Sequence, residues 1–308
     1  MTRLLALAAL LLVAMPAHAQ DWIDTEADGS RTLVNDVFVP ALPETIWQAV
    51  TTAEGWKRWA VPAAWISPSD PDLLETAYNP AAKPGDADTI QQRFVARLPK
   101  RLLVFRTVKT PAGFPHPEAF MRVTHFLELL PEAGGTRVRL TGAGYPAGAE
   151  GDTLLGFFKT GNRATLDAMA QALALTPLDF LAGHCWQGTL PNGDGDTHCF
   201  RPAGKQLVDH HEVVRGGKAI YWGDAVYAWA DGSIGWVYTD RTGGVMKGTV
   251  RGAPDGLDFD SSGYVAKDGR KISIASRWVR VAPNAYEARD RSESDAHFNR
   301  TTRYTRVD

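Results

Sequence analysis

Residues 151–175 read GDTLLGFFKTGNRATLDAMAQALAL, and their spacing decides how the rest of the chain divides. Leu155, Phe158, Leu166, Met169 and Leu173 recur at helical intervals and form one apolar stripe. Asp152 stands where an N-cap would, its carboxylate available to the unpaired N–H groups of a helix start. Thr176-Pro177 ends the run, because proline lacks a donor and crowds the residue before it. A helix of about 21 residues spans roughly 31 Å. The sequence differs in character on its two sides. The helix therefore closes one domain, 21–175, and leads into another, 176–308.

A chain of 308 residues is long enough for two cores. Its formal net charge is −2 with no basic cluster, which argues against nucleic acid or an anionic membrane surface as a partner. The opening, MTRLLALAALLLVAMPAHAQ, has Arg3, an apolar run over 4–15, and Ala17-His18-Ala19 before Gln20. That order predicts a secretory signal over 1–19, cleaved after Ala19. The apolar run falls short of the ~20 residues that span a bilayer, which favours cleavage over an anchor helix. No later stretch qualifies as a transmembrane segment, so the expected product is exported and periplasmic. Export puts nucleotide cofactors out of easy supply and lets the two cysteines pair. GxxxxGK[ST], HExxH and GxSxG do not occur.

In the first domain, 32–40 is strand-like, and Pro43 opens a short helix over 43–50 with Ile46, Trp47 and Val50 on one face. A second short helix, 52–59, carries Trp56 and Trp59. The Pro-, Asp- and Ala-rich run 70–88 reads as loop. Strands follow at 90–98, 101–108, 119–129 and 136–141. Gly134-Gly135 turns the last pair into a hairpin with Val138 and Leu140 inward and Arg137 and Arg139 outward. Met121, Val123, Leu127 and Leu129 share a face with His125. A curved antiparallel sheet wrapped on a long helix leaves a space between them that suits an apolar ligand.

The stretch VFVPALPETIWQAVTTAEGWKRW carries a strand, then Pro43 and Trp47-Gln48-Ala49, then the pair Trp56 and Trp59. It resembles the opening of the START-like (SRPBCC) superfamily, in the branch named for the activator of Hsp90 ATPase, over about residues 30–172. The resemblance implies a helix-grip fold with an internal cavity for a hydrophobic small molecule. The co-chaperone role does not follow, since an exported protein meets no Hsp90. Phe94, Phe105, His125, Phe158 and Leu166 are the candidates to line that cavity. Each is equally explained as core, as are the three tryptophans. His125 is read first as a core histidine satisfied by a neighbour, and otherwise as an acid–base group that would need a carboxylate beside it.

From 176 onward, strand-sized runs alternate with Gly-, Asn- and Asp-containing turns at 191–195, 215–218, 231–232, 242–244, 254–256, 267–269 and 283–284. Such spacing predicts an antiparallel barrel or sandwich of about eight strands. LDFLAGHCWQG, 178–188, resembles the first strand of lipocalin-like barrels, which implies a closed up-and-down barrel. The fold class expected is thus α+β, a helix-grip domain followed by an all-β lipocalin-like barrel. Cys185 and Cys199 are equidistant from Asn192 in the turn PNGDG, so a hairpin centred there sets them opposite one another, close enough for a disulfide. A metal site from His184, Cys185, His198 and Cys199 is disfavoured, because adjacent strand residues point to opposite faces. The same parity sends His184, Trp186, His198 and Phe200 to the barrel interior. Asp209-His210-His211-Glu212 supplies a further inward histidine. These are read as polar plugs with no metal or cofactor. A haem held by one histidine is the sharper alternative. Tyr221, Trp222, Tyr227, Trp229, Trp236 and Tyr238 are read as barrel core or cross-strand pairs, and any exposed ones as a carbohydrate or partner surface. The function expected is a non-catalytic carrier or sensor of a hydrophobic small molecule. The alternatives are an enzyme using His125 and an envelope interaction module acting through the barrel.

Overall fold

The computed structural model of the protein describes residues 20–230, 232–265 and 269–308, and the expected signal segment, 1–19, lies outside them. Strands β1 (Asp21–Thr25) and β2 (Arg31–Val39) lead into helices α1 (Pro43–Thr51) and α2 (Ala53–Trp59). There follow β3 (Ala63–Ser67), β4 (Asp70–Ala77), β5 (Ile90–Leu98), β6 (Leu102–Lys109), α3 (Pro117–Arg122), β7 (Thr124–Glu132), β8 (Gly135–Tyr145) and α4 (Ala149–Leu173). The strands make one eight-stranded antiparallel sheet in the order β1-β2-β8-β7-β6-β5-β4-β3, and α4 runs against β2 and β8.

Local chemistry explains the helices. Pro43 sits in the first turn of α1, where its missing N–H costs nothing, and Ile46, Trp47, Ala49 and Val50 form its buried face. Thr52 caps α2, its hydroxyl accepting from the Gly55 N–H at 3.0 Å. Trp56 and Trp59 then tie α2 back to α1, their indole N–H groups donating to the carbonyls of Val50 (2.8 Å) and Ala49 (3.0 Å). Gly55 is required by this elbow, because a Cβ there would lie 2.4 Å from the Gln48 carbonyl oxygen.

The long helix starts three residues before the expected cap. Its N-cap is Gly148, whose φ of +81° suits glycine, and Asp152 falls inside the helix, where it pairs with Arg31. Three other expectations need correction. The run 70–88 is not all loop: β4 occupies its start and buries Leu74 completely. The strand expected at 119–129 begins only at Thr124, since Pro117 and Glu118 open α3 instead. Arg137 does not face water. It is buried, donating to Glu132 at 2.5 and 3.1 Å and lying 3.4 Å from the buried Asp36.

The second domain is a closed antiparallel barrel of ten strands: β9 (Cys185–Thr189), β10 (Gly195–Ala203), β11 (Gln206–Arg215), β12 (Lys218–Ala230), β13 (Ser233–Asp240), β14 (Val245–Ala253), β15 (Gly256–Val265), β16 (Lys271–Ala282), β17 (Ala285–Arg291) and β18 (Arg300–Arg306). Each strand pairs with the next, and β18 pairs with β9 to complete the ring. Two strands beyond the expected eight arise at connections with weak turn signals. Gly204-Lys205 is a lone glycine turn, and residues 292–299 contain neither Gly nor Pro, turning instead through a short 3-10 helix, Ala296–Phe298. One barrel end is stoppered by the segment after α4. Leu178 and Leu181 are fully buried there, and Phe180 packs edge-on to Trp186 and Tyr286.

Candidate functional site

Between the first domain's sheet and helices, the protein's own side chains meet. Phe94, Phe105 and Leu166 belong to the main core, with Trp47, Leu127 and Met169. Phe158 stacks on Phe120 at 4.3 Å in a second cluster under α3 and α4. His125 joins the two, lying flat on Phe105 (5.0 Å) and edge-on to Phe120 (5.5 Å). Burial alone pushes its pKa down to about 4, and its Nδ1 is buried without a hydrogen-bond partner. The ring is therefore neutral at physiological pH. Among the described residues no charged group tunes it.

A cavity of about 510 Å³ lies inside the barrel instead, of a size that suits a small organic ligand. Its lining includes Asn192, Arg215, Met246, His297 and Phe298, near the connections β9–β10, β11–β12, β13–β14 and β17–β18. That is the end away from the Leu178–Leu181 stopper.

The polar part of the wall follows from two short runs, Asp196-Thr-His198 on β10 and Asp209-His-His211 on β11. Alternation turns the first and third residue of each run inward. The register sets His198 directly opposite His211, and the two imidazoles stack at 4.3 Å with their planes within 2°. Each aspartate is then diagonal to the histidine of the other strand. Asp209 Oδ2 lies 2.7 Å from His198 Nδ1, and Asp196 Oδ1 lies 2.6 Å from His211 Nε2.

Further groups extend this core. The Tyr304 hydroxyl donates to Asp196 Oδ2 at 2.7 Å. His211 Nδ1 lies 3.1 Å from the Tyr238 hydroxyl, itself 2.9 Å from that of Tyr221. Tyr264 donates to Asp240 Oδ2 at 2.6 Å.

Charge divides unequally over the stacked pair. Burial opposes the protonation of His198, but Asp209, with Asp196 and Asp290 behind it, overrides burial and pushes its pKa up to about 9. His211 goes the other way. Burial, reinforced by the His198 charge, holds it below its ordinary value against the pull of Asp196. Burial would raise Asp196, yet the bonds from His211 and Tyr304 and the His198 charge hold it well below the usual carboxylate range. At neutral pH the pair carries one proton more than a neutral pair would, placed on His198.

Asp196, His198 and His211 could in principle hold a metal, with one ligand atom from each within 4.8 Å of the others. Stacked parallel rings, however, direct their in-plane lone pairs side by side rather than to one point, and an ion between them would lie far out of both ring planes. Both nitrogens of His211 are also already within hydrogen-bond distance of Asp196 and Tyr238.

The expected interior residues fall in different places. Trp186 and Phe200 are buried in the barrel core, and His198 lines the cavity. His184 stands just ahead of β9, half-exposed, 3.3 Å from Asp308. Cys185 and Cys199 are opposed in the register and joined by a disulfide. His210 points outward to Asp224, as its parity with respect to His211 requires. Asp196, Asp240, Tyr264 and Tyr304 were not singled out from sequence. The paired D-x-H runs were the available signal, because two of them on adjacent antiparallel strands imply a crossed Asp–His arrangement.

Residues 30–174 match the family model described as polyketide cyclase/dehydrase and lipid transport. No curated protein matches the chain. Among solved structures, the Aha1 dimer from Colwellia psychrerythraea is 17% identical over 46% of this chain and 95% of its own, with a TM-score of 0.36. CalU16 from Micromonospora echinospora is 17% identical over 53% and 90%, with a TM-score of 0.37. An AHSA1-like protein from Rhizobium etli is 18% identical over 49% and 87%, with a TM-score of 0.33. Seven of the eight sheet strands and the long helix against them lie within residues 30–174, which are similar to the polyketide cyclase/dehydrase and lipid transport family, and a closed ten-stranded barrel follows them.

Proposed function

We propose that this protein is an exported, non-catalytic carrier or sensor of a hydrophobic small molecule, and that the ligand sits in the barrel. The START-like fold suggests hydrophobic-ligand binding in general. What carries the reading to the barrel is its cavity of about 510 Å³, walled by Tyr227, Trp236, Phe259 and Trp278. The space between sheet and α4, by contrast, holds the stacked Phe120–Phe158 and Phe105–His125 pairs. The Cys185–Cys199 disulfide supports an oxidising destination, and no helix among the described residues is long and apolar enough to cross a membrane.

Native mass spectrometry of protein purified from the periplasm tests the reading, together with titration of the neutral probe N-phenylnaphthylamine. A retained small molecule, or saturable probe binding, is expected. Ala225 lines the cavity, so Ala225→Phe should abolish binding by filling it. Binding undiminished in Ala225→Phe would move the site out of the barrel. No bound molecule and no probe binding would remove the carrier reading altogether.

A further inference from the structure

The cavity wall carries more acid than base. Four carboxylates line it: Asp194, Asp196, Asp209 and Asp290. Against them stand Arg215, paired with Asp194 at 2.8 Å, Arg300, paired with Asp290 at 3.2 Å, and His198 on Asp209. His211 is held neutral and offsets nothing. Four negative and three positive charges leave one uncompensated, on Asp196. Its oxygens are occupied by donors from the protein, His211 and Tyr304.

One acceptor is left over. Asp209 is 2% exposed and lines the cavity, and its Oδ1 is buried with no hydrogen-bond partner. Buried carboxylate oxygens ordinarily have donors. Trp236 presents the complementary orphan, an indole N–H in the same wall without an acceptor. Around them are aromatic faces, among them Tyr227, Phe259 and Trp278, and such faces attract a cation once water is excluded. Net negative charge, a spare buried carboxylate oxygen and aromatic walls specify the same guest. A metal ion fits less well, because the stacked histidines do not converge.

We propose that the barrel cavity binds an organic cation of the arylalkylamine type, its ammonium N–H donating to Asp209 Oδ1 and its apolar part lying against the aromatic wall. This rests on the reading that the barrel is the ligand site. Titration of the mature protein at pH 7.5, followed by tryptophan fluorescence and calorimetry, compares phenethylamine with its neutral and anionic counterparts, 2-phenylethanol and phenylacetate. The amine should bind about tenfold more tightly than the alcohol, and phenylacetate more weakly than either. Asp209→Asn should erase the advantage of the amine while retaining affinity for the alcohol. The amine-to-alcohol ratio in the unmutated protein decides the matter even if that variant folds poorly. Alcohol or phenylacetate binding as tightly as the amine overturns the cation inference and leaves the barrel site standing. Failure of all three to bind overturns the cation inference, and the barrel site then stands or falls by N-phenylnaphthylamine and Ala225→Phe. Zinc binding that displaces no amine preference, because none exists, overturns the inference in favour of a metal.

Discussion

His198 and His125 share one ring chemistry and titrate in opposite directions, because one has carboxylates for company and the other only phenyl rings. His198, raised to about 9, holds more protons when folded than its ordinary value of 6.5 allows unfolded. Its contribution to stability is complete below pH 6.5 and is lost as pH rises to about 9. His125, lowered to about 4, does the reverse: its contribution is complete above 6.5 and is lost as pH falls to about 4. His211, also lowered, adds to this acid limb. Stability followed by urea denaturation should therefore peak near pH 6.5, the ordinary value that both histidines leave. His198→Gln should flatten the alkaline limb and leave the acid limb. His125→Phe should soften the acid limb and, by removing a buried nitrogen with no partner, stabilise at neutral pH by about 1 kcal/mol. An unchanged alkaline limb in His198→Gln would show that Asp209 does not hold a proton on that ring.

At the scale of elements, the turn between α1 and α2 is a tight joint in the first domain. The α2 backbone at Gly55 lies so close to the Gln48 carbonyl that any Cβ collides. Gly55→Ala should cost about 2–3 kcal/mol, with backbone rather than a flexible side chain as the obstacle. A loss below 0.5 kcal/mol would show that the elbow can open. In the barrel, the Cys185–Cys199 disulfide closes a loop spanning 14 positions, and reduction should cost about 3 kcal/mol on chain-entropy grounds. The hairpin that carries it was legible from residue parity about Asn192, since two cysteines and a turn leave little freedom. The W-x-x-W pair and the apolar stripe of α4 were legible for the same reason, each being a short-range pattern. Arg137, Asn162 and the crossed Asp–His pairs were not. Their burial depends on partners brought from distant strands, as when Asn162 on α4 donates to Asn35 on β2 at 3.0 Å. A solvated arginine and a buried ion-paired one look alike until the opposing Asp36 is in place.

For the molecule as a whole, two hydrophobic clusters dominate, one under the sheet and one within the ring. Calorimetry should resolve two unfolding transitions, and reduction of the disulfide should lower only that of the barrel, since both cysteines belong to it. A single transition, or a shift in both, would mean that the domains unfold as one unit. The cavity inside the barrel was not legible at this scale. A helix-grip fold directs attention to the space under its helix, where Phe105, His125, Phe120 and Phe158 pack ring against ring, whereas the ring of strands encloses a cavity of about 510 Å³. The total volume of large side chains on each wall decides this, and that sum needs the register of every strand.

The closure of β18 onto β9 has a consequence for how copies of this chain behave when crowded or partly unfolded. A cylinder offers no dangling row of amides for a stranger to zip onto, so recruitment of foreign strands falls entirely to the two outer flanks of the open sheet. On β1, Asp24 sets its charge against an incoming neighbour. On β3, Ala-Ala-Trp-Ile-Ser brings no such guard, and it is along that flank that fibrillar growth would find its first foothold.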